Sequence, residues 1–412
     1  MTAEARTSAR LPAVRALGGN HDFRLLWIGQ AASELGSSIS ALALPMLVLA
    51  LSGSAALAGL LGTLAYVAAW LGQLPGGYIA DMFDRRRVML VCDAGRAVLA
   101  GLAVVSVLTS TAPVAVLLTV VCASTFLWMA FAAAQTQSVR MIVPPEAIPD
   151  AVSINQARGY AVDIGAPVIA GWLFTLHHAM PLVVDAATFV VSFACVWCLR
   201  ATFAAETRPT MRRFLPDMGR GWSVLRRQPF LWATALYSMV TNFAMSMLLF
   251  TLILGGSGGL LVGTGVSVAA AAGLLGSLLA PAVARRVTLR PLLVVVALTR
   301  AGSLALAAVS GNGTVFVAVL AVVLLAGPMV GASLTSAQIL MVPGDVLGRV
   351  SSASRFLGTA AQPLAPVIAG LLVQHFDLRA TQLVLTAAFG VVALYAALAP
   401  GFRHGVGPAD PA

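Results

Sequence analysis

Ala166-Pro167-Val168-Ile169-Ala170-Gly171 recurs, residue for residue, as Ala365-Pro366-Val367-Ile368-Ala369-Gly370, 199 positions later in a chain of 412. The match continues outside the hexamer without a gap. Thr136 aligns with Thr335, Val143-Pro144 with Val342-Pro343, Glu146 with Asp345, Ser153 with Ser352 and Leu173 with Leu372. A period of about half the chain indicates two copies of one large unit, not a solenoid of short repeats. Composition shows which solvent the unit is built for. Hydrophobic residues make up 59% and charged residues 10%, whereas a soluble domain carries roughly 25% charged residues. Most of this surface is therefore matched to lipid.

A bilayer core takes about 20 apolar residues per helix. Breaks at Gly, Pro and charge divide the chain into twelve predicted helices: near 24–51, 57–80, 88–109, 113–138, 152–176 and 180–199, then 230–254, 259–283, 289–309, 313–341, 350–376 and 379–399. The expected organisation is an N-terminus (1–23), a six-helix bundle (24–199), a linker (200–229), a second six-helix bundle (230–399) and a tail (400–412). It is an all-α membrane protein of two pseudo-symmetric bundles.

All 25 basic residues are arginine, and twenty of them lie in the N-terminus, the even-to-odd loops, the linker or the tail. Only Arg379 falls on the opposite side; Arg96, Arg158, Arg300 and Arg355 lie inside predicted helices. The positive-inside rule puts both termini and the linker in the cytoplasm. Both halves start on that side, so they are parallel repeats, and two packed halves in so apolar a chain point to a transporter. The same topology accounts for the +10 net charge. No basic stripe with interleaved aromatics is present, so a nucleic-acid partner is not expected. Cys195-Val-Trp-Cys198 has redox spacing but no βαβ surroundings, and reads as small apolar packing. His177-His178 lacks further ligands, so no metal site is expected. Neither an effector domain nor a clustered catalytic set is present, which argues against a membrane sensor or an enzyme.

Gly77-Tyr78-Ile79-Ala80-Asp81-Met82-Phe83-Asp84-Arg85-Arg86-Arg87 resembles the loop signature of the major facilitator superfamily, Gly-x-x-x-Asp-Arg-x-Gly-Arg-Arg/Lys. Met82 stands for the usual arginine and Asp84 for the usual glycine. Asp84, the helix entry Asn20-His21-Asp22-Phe23-Arg24, the stretch Val184-Asp185-Ala186-Ala187-Thr188-Phe189 and the segment from Pro343 to Gly370 are similar to one branch, the macrolide-efflux and enterobactin-exporter-like proteins. The resemblance implies the twelve-helix major facilitator fold and export of small molecules. It also makes Gly77, Asp81, Arg85, Arg86 and Arg87 a conformational latch, with Asp81 near the start of the eleventh helix. Gly159, Gly165, Pro167 and Gly171 resemble the Gly-Pro-rich antiporter motif, whose small residues permit close helix approach and bending.

Residues inside the apolar runs supply the candidate chemistry. Glu34 lies about 15 Å into the first helix at 1.5 Å per residue, and a charge at that depth costs about 2.5–3.5 kcal/mol or more to insert. It persists by facing a watery space and binding a proton for part of a cycle. Asp163, mid-way along the fifth helix, is the second candidate proton carrier. Gln30, Gln156, Tyr237, Asn242 and Met245 are candidate substrate contacts, Met and aromatic side chains being able to re-pack around varied apolar ligands. Asp93 and Arg96, three apart, read as a local charge pair with the arginine snorkelling toward the cytoplasm. Arg158 and Arg355 read likewise, with an inner vestibule or a pairing with Asp93 as the alternative. The combined expectation is a monomeric, proton-coupled exporter of small amphipathic molecules in the bacterial cytoplasmic membrane. It would need no cofactor beyond the proton gradient; an importer or uniporter of the same fold is the alternative.

Overall fold

The computed structural model describes residues 19–144, 147–201, 222–255, 258–342 and 344–402. The N-terminal 18 residues, most of the linker (202–221) and the tail from 403 lie outside the described residues. The helices are α1 (His21–Ser52), α2 (Ala55–Met82), α3 (Arg85–Thr109), α4 (Pro113–Ile142), α5 (Ile148–Leu176), α6 (Met180–Trp197), α7 (Pro229–Gly255), α8 (Gly259–Arg286), α9 (Leu289–Ser310), α10 (Gly313–Met341), α11 (Gly344–Thr359), α12 (Leu364–His375) and α13 (Leu378–Leu398). With α11 and α12 taken as one span, twelve segments are long and apolar enough to cross a membrane. The protein is a multi-pass, all-α membrane protein. Helices are the element that satisfies every backbone group within one segment in lipid.

Helix ends are set by local chemistry. Asn20 caps α1, its Oδ1 accepting from the N–H groups of Asp22 and Phe23 at 3.1 Å each, while its Nδ2 donates to the Ile142 carbonyl at 2.8 Å. Asp22 accepts from the backbone of Arg200 at 3.0 Å and Ala201 at 2.9 Å, tying the exit of α6 to the entry of α1. Asp84 caps α3 through Arg87 N–H at 2.9 Å, and Asp377 caps α13 through Ala380 N–H at 2.7 Å. Side-chain oxygens that accept from a first-turn N–H satisfy donors the helix itself leaves orphaned. The single run expected over 350–376 is interrupted at Ala360–Pro363, where turn-type bonds such as Gln362 N–H to Thr359 O (3.0 Å) replace the helical ladder. Pro363 has no N–H to give that ladder.

The chain divides into two compact units, Met1–Ser52 with Leu64–Pro209, and Gly53–Thr63 with Thr210–Ala412. In the first, glycines let α1 close on α6. A Cβ on Gly29 would stand 2.9 Å from Cys195 Cβ, and one on Gly36 only 2.0 Å from Thr188 Oγ1 and 2.7 Å from Asp185 Oδ1. Its apolar core joins Phe23 and Leu26 of α1 to Val88 and Met89 of α3, Phe131 of α4 and Val196 of α6. The second unit has the same device between α8 and α10, where a Cβ on Gly276 would lie 1.9 Å from the Leu325 carbonyl. Its core gathers Phe230, Tyr237, Leu293, Val296 and Val392 around Phe402, which meets Phe230, Tyr237 and Tyr395 edge-on at 6.2–6.3 Å. The first turns of α2 also pack here. A Cβ on Gly59 would meet the Pro366 carbonyl at 2.3 Å, and Gln374 Oε1 accepts from Ala56 N–H at 2.9 Å. The repeated Ala-Pro-Val-Ile-Ala-Gly thus lies within α5 in one copy and within α12 in the other.

Candidate functional site

In the first unit, α1, α4 and α5 converge on one polar cluster. Glu34 sits opposite Arg158, whose Nε donates to Glu34 Oε2 at 2.9 Å; their side chains are 27% and 7% exposed. Arg158 Nη1 also donates to Gln30 Oε1 at 2.9 Å and Asn155 Oδ1 at 3.2 Å. Gln30 and Gln135 exchange hydrogen bonds through both amides, one of them at 2.8 Å. Gln30 and Glu34 are one helical turn apart on α1, so both reach the same guanidinium. Arg158 does not snorkel to the cytoplasm as expected, nor does it pair with Asp93. α5 begins at Ile148, several residues before the predicted start. Ten residues at 1.5 Å each put Arg158 about 15 Å along it, deep enough to meet Glu34. Beside the cluster an open groove of about 650 Å³ runs between α1 and α5, lined by Trp27, Ala31, Leu35, Ala157, Ala161 and Gly165 with Arg158 at its edge.

The other α5 candidates are less engaged. Asp163 is exposed and makes no ion pair among the described residues, and Gln156 is exposed and outside the groove lining. Gly159 approaches the cluster, a Cβ there falling 3.8 Å from Glu34 Oε1, whereas Gly165 has open space around it. Pro167 and Gly171 are buried within the helix.

Asp93 and Arg96 do not form the expected local pair. Asp93, fully buried, accepts from Ser192 Oγ of α6 at 2.6 Å. Arg96, 3% exposed, donates to Ser33 Oγ at 3.2 Å and Ser37 Oγ at 2.6 Å on α1 and lies over the rings of Phe189 (4.0 Å) and Trp128 (5.0 Å). Three residues apart on α3, the two side chains diverge toward different neighbours. Asp185 on α6 is buried in the same region. It is an intramembrane acid of the kind that marks function, and in the sequence it stands out only as part of a motif.

At the α2–α3 turn, Gln137 of α4 bridges the latch candidates, its Nε2 donating to Asp81 Oδ1 at 2.5 Å and its Oε1 accepting from Arg85 Nε at 3.0 Å. Arg86 reaches the last carbonyls of α6, at Val196 and Trp197. Arg87 contributes its backbone N–H to the α3 cap. Gly77 has open space around it; the close approach is made by Gly76, where a Cβ would lie 2.8 Å from the Met129 carbonyl carbon. The start of the eleventh span, expected near Asp81, has its side chains at 344–349 outside the described residues.

In the second unit Tyr237, Asn242 and Met245 line one cavity of about 260 Å³ with Thr241, Arg300 and Gly327. Asn242 Nδ2 donates to the Gly358 carbonyl at 3.0 Å. Gln135 and Gln137 do not stand out as site residues in the sequence, whereas Arg300 shows there as one of four arginines inside predicted helices. An amide in an apolar run carries no charge to draw notice, and its role depends on the helix that faces it.

The sequence matches the family model of the Major Facilitator Superfamily over residues 26–366. A search of the curated proteins finds no match. Among solved structures, the chain is similar to the nucleoside transporter NupG, with a TM-score of 0.76 at 14% identity over 93% of this chain and 99% of that one. A bacterial homologue of the iron transporter ferroportin in an inward-facing state gives 0.71 at 17% identity over 92% and 98%. A bacterial homologue of the human lysosomal transporter Spinster, inward-facing and occupied, gives 0.71 at 14% over 91% and 95%. At these identities the likeness is one of fold. The twelve spans, the two repeated halves and the family match agree, and the chain belongs to the Major Facilitator Superfamily, a family of membrane transporters.

Proposed function

We propose that this protein exports small amphipathic molecules, of drug, macrolide or siderophore-like character, against their gradient in exchange for protons. It would work as a monomer by alternating access in the bacterial cytoplasmic membrane, with its termini and linker on the cytoplasmic side. One observation carries the reading: a carboxylate deep in a membrane-spanning helix, Glu34, is held by an equally deep arginine, Arg158, that has two neutral acceptors besides. Glu34 can therefore exchange its arginine for a proton without leaving the guanidinium unbonded. Gln30 and Asn155 keep Arg158 in place while the carboxyl is neutral. Two arrangements of one cluster, chosen by a proton, are what coupling requires. Each proton entering down a 100 mV potential releases about 2.3 kcal/mol, the driving force for outward movement of cargo.

Asp163, on α5 beyond the cluster, serves as the second proton carrier. The apolar groove beside Arg158 and the cavity with Tyr237, Asn242 and Met245 supply apolar surface with few polar groups, a composition suited to amphipathic ligands. The Asp81–Gln137–Arg85 chain acts as the latch, a set of hydrogen bonds at a helix junction that favours one conformation.

The experiment is proton-driven efflux from proteoliposomes. Under an imposed pH gradient, wild-type protein drives accumulation of an amphipathic dye, and Glu34→Gln abolishes it while leaving folding intact; unchanged flux in the variant refutes the assignment. An importer or uniporter is the second reading, supported by the fold shared with a nucleoside transporter. Counterflow with both gradients reversed separates the two directions.

A further inference from the structure

The second unit buries a positive charge that its own spans do not neutralise. Arg300 of α9 is 2% exposed. Its Nε donates to the Val323 carbonyl at 3.2 Å and its guanidinium lies 5.7 Å from the Phe389 ring centre. Its two Nη groups make no hydrogen bond to protein among the described residues. From residue 207 onward the acidic residues are Asp217, Asp345, Asp377 and Asp410, and none lies within a membrane-spanning segment.

The first unit shows what this site lacks. Arg96 stacks on Phe189 as Arg300 stacks on Phe389. Around Arg96, Asp93 stands three residues before the arginine and Asp185 four before the ring; the corresponding places in the second unit are Ala297 and Leu385. The second copy has the cation and its aromatic shelf without either counter-charge.

Arg300 instead borders the 260 Å³ cavity. Tyr237 and Thr241, one helical turn apart, line the same space, and beyond their approach to each other neither buried hydroxyl meets a partner in hydrogen-bonding geometry among the described residues. Arg300 turns spare N–H groups to this space, and the hydroxyls beside it can orient their protons toward an anion; the neutral oxygens of the lining, such as Asn242 Oδ1, carry no charge to balance the guanidinium. A buried cation persists when it is paired. One positive charge balances a monoanion; a dianionic phosphate would need a second cation, which the cavity lining does not hold. Guanidinium also matches the planar carboxylate with two parallel N–H···O bonds.

We propose that Arg300, Tyr237 and Thr241 form a subsite for the carboxylate of an amphipathic substrate, whose apolar body lies along Met245, Leu324 and Leu334. The assignment rests on the transport reading and names its substrate class.

Equilibrium binding tests it. Purified full-length protein in nanodiscs is titrated with 11-(dansylamino)undecanoate and with the corresponding primary amide, followed by dansyl fluorescence. A charge-assisted hydrogen bond is worth roughly ten- to a hundredfold in affinity, so wild-type protein should bind the carboxylate at least tenfold tighter than the amide. Arg300→Gln should erase that preference and Arg300→Lys should retain part of it. Gly331 lines the cavity, and a Cβ added there would meet nothing within 4 Å, so it supplies a variant that leaves the arginine in place. Gly331→Leu should fill the space and weaken both probes. Equal affinity for the two probes, or a preference that survives Arg300→Gln, overturns the subsite; so does carboxylate binding untouched by Gly331→Leu. Efflux of both probes under a pH gradient is measured in parallel. Flux of both probes without carboxylate preference removes the subsite and leaves the transport reading standing. Carboxylate preference in binding without flux of either probe does the reverse.

Discussion

The Glu34–Arg158 pair invites a double-mutant cycle: Glu34→Gln, Arg158→Gln and both together. A hydrogen bond to a charged group contributes about 1.5–3 kcal/mol net, and breaking a fully buried ion pair costs about 3–5 kcal/mol. The upper range does not apply here. Glu34 keeps 27% of its side chain exposed, and Arg158 retains Gln30 and Asn155 as acceptors at 2.9 and 3.2 Å when the charge opposite is removed. The single variant Glu34→Gln should therefore be mild, about 1 kcal/mol, since an amide oxygen still faces the guanidinium. Arg158→Gln should cost more, about 2–3 kcal/mol, because it leaves a carboxylate at depth without its cation. In the Glu34→Gln background the same arginine change should lose most of that extra penalty. The expected coupling is about 1.5 kcal/mol. Reversible unfolding by SDS in mixed micelles, followed by tryptophan fluorescence, gives all four free energies. Additivity within about 0.5 kcal/mol would mean that the two charges do not act on each other, and would remove the physical basis for using their separation as the proton-linked step.

Two further perturbations check the packing and the latch. Gly276→Ala places a methyl 1.9 Å from the Leu325 carbonyl, a backbone atom that cannot step aside, so it should destabilise by about 1–3 kcal/mol or more; Gly302→Ala, with open space around it, is the control and should be neutral or slightly stabilising in the same unfolding assay. Gln137→Leu removes the amide that joins Asp81 to Arg85, and should raise the accessibility of a cysteine placed at the α2–α3 turn to a membrane-impermeant maleimide while changing unfolding free energy by only about 1 kcal/mol; unchanged labelling would show that the bridge holds no conformation.

Periodicity, composition and the repeat carried the fold because in lipid they have few alternatives. An apolar run of some 20 residues closes its backbone bonds internally, so run length predicts α1–α10 and α13 to within a few residues. Pro363 alone added a break the run count did not anticipate. The acid at Glu34 was equally legible, because a charge in such a run is costly wherever it points. Its partner was not. Arg158 lies 124 positions away, and its depth followed from where α5 starts. Asp93 and Arg96 illustrate the opposite case: spacing of three allowed a contact, and packing against Ser192 on one side and Ser33 and Ser37 on the other separated them.

What the sequence determined by itself is therefore one-dimensional: which segments dissolve in lipid, how many there are, that they come as two copies, and which ionisable side chains are buried with them. What the tertiary structure alone decided is pairing. Glu34 with Arg158 and Asp81 with Gln137 are consequences of how separate helices pack, and Arg300 meets no carboxylate among the described residues. The physical reason is that burying a charge in a membrane is a property of one segment, whereas neutralising it takes a second group within about 3 Å, and only the packing of separate helices selects which group that is.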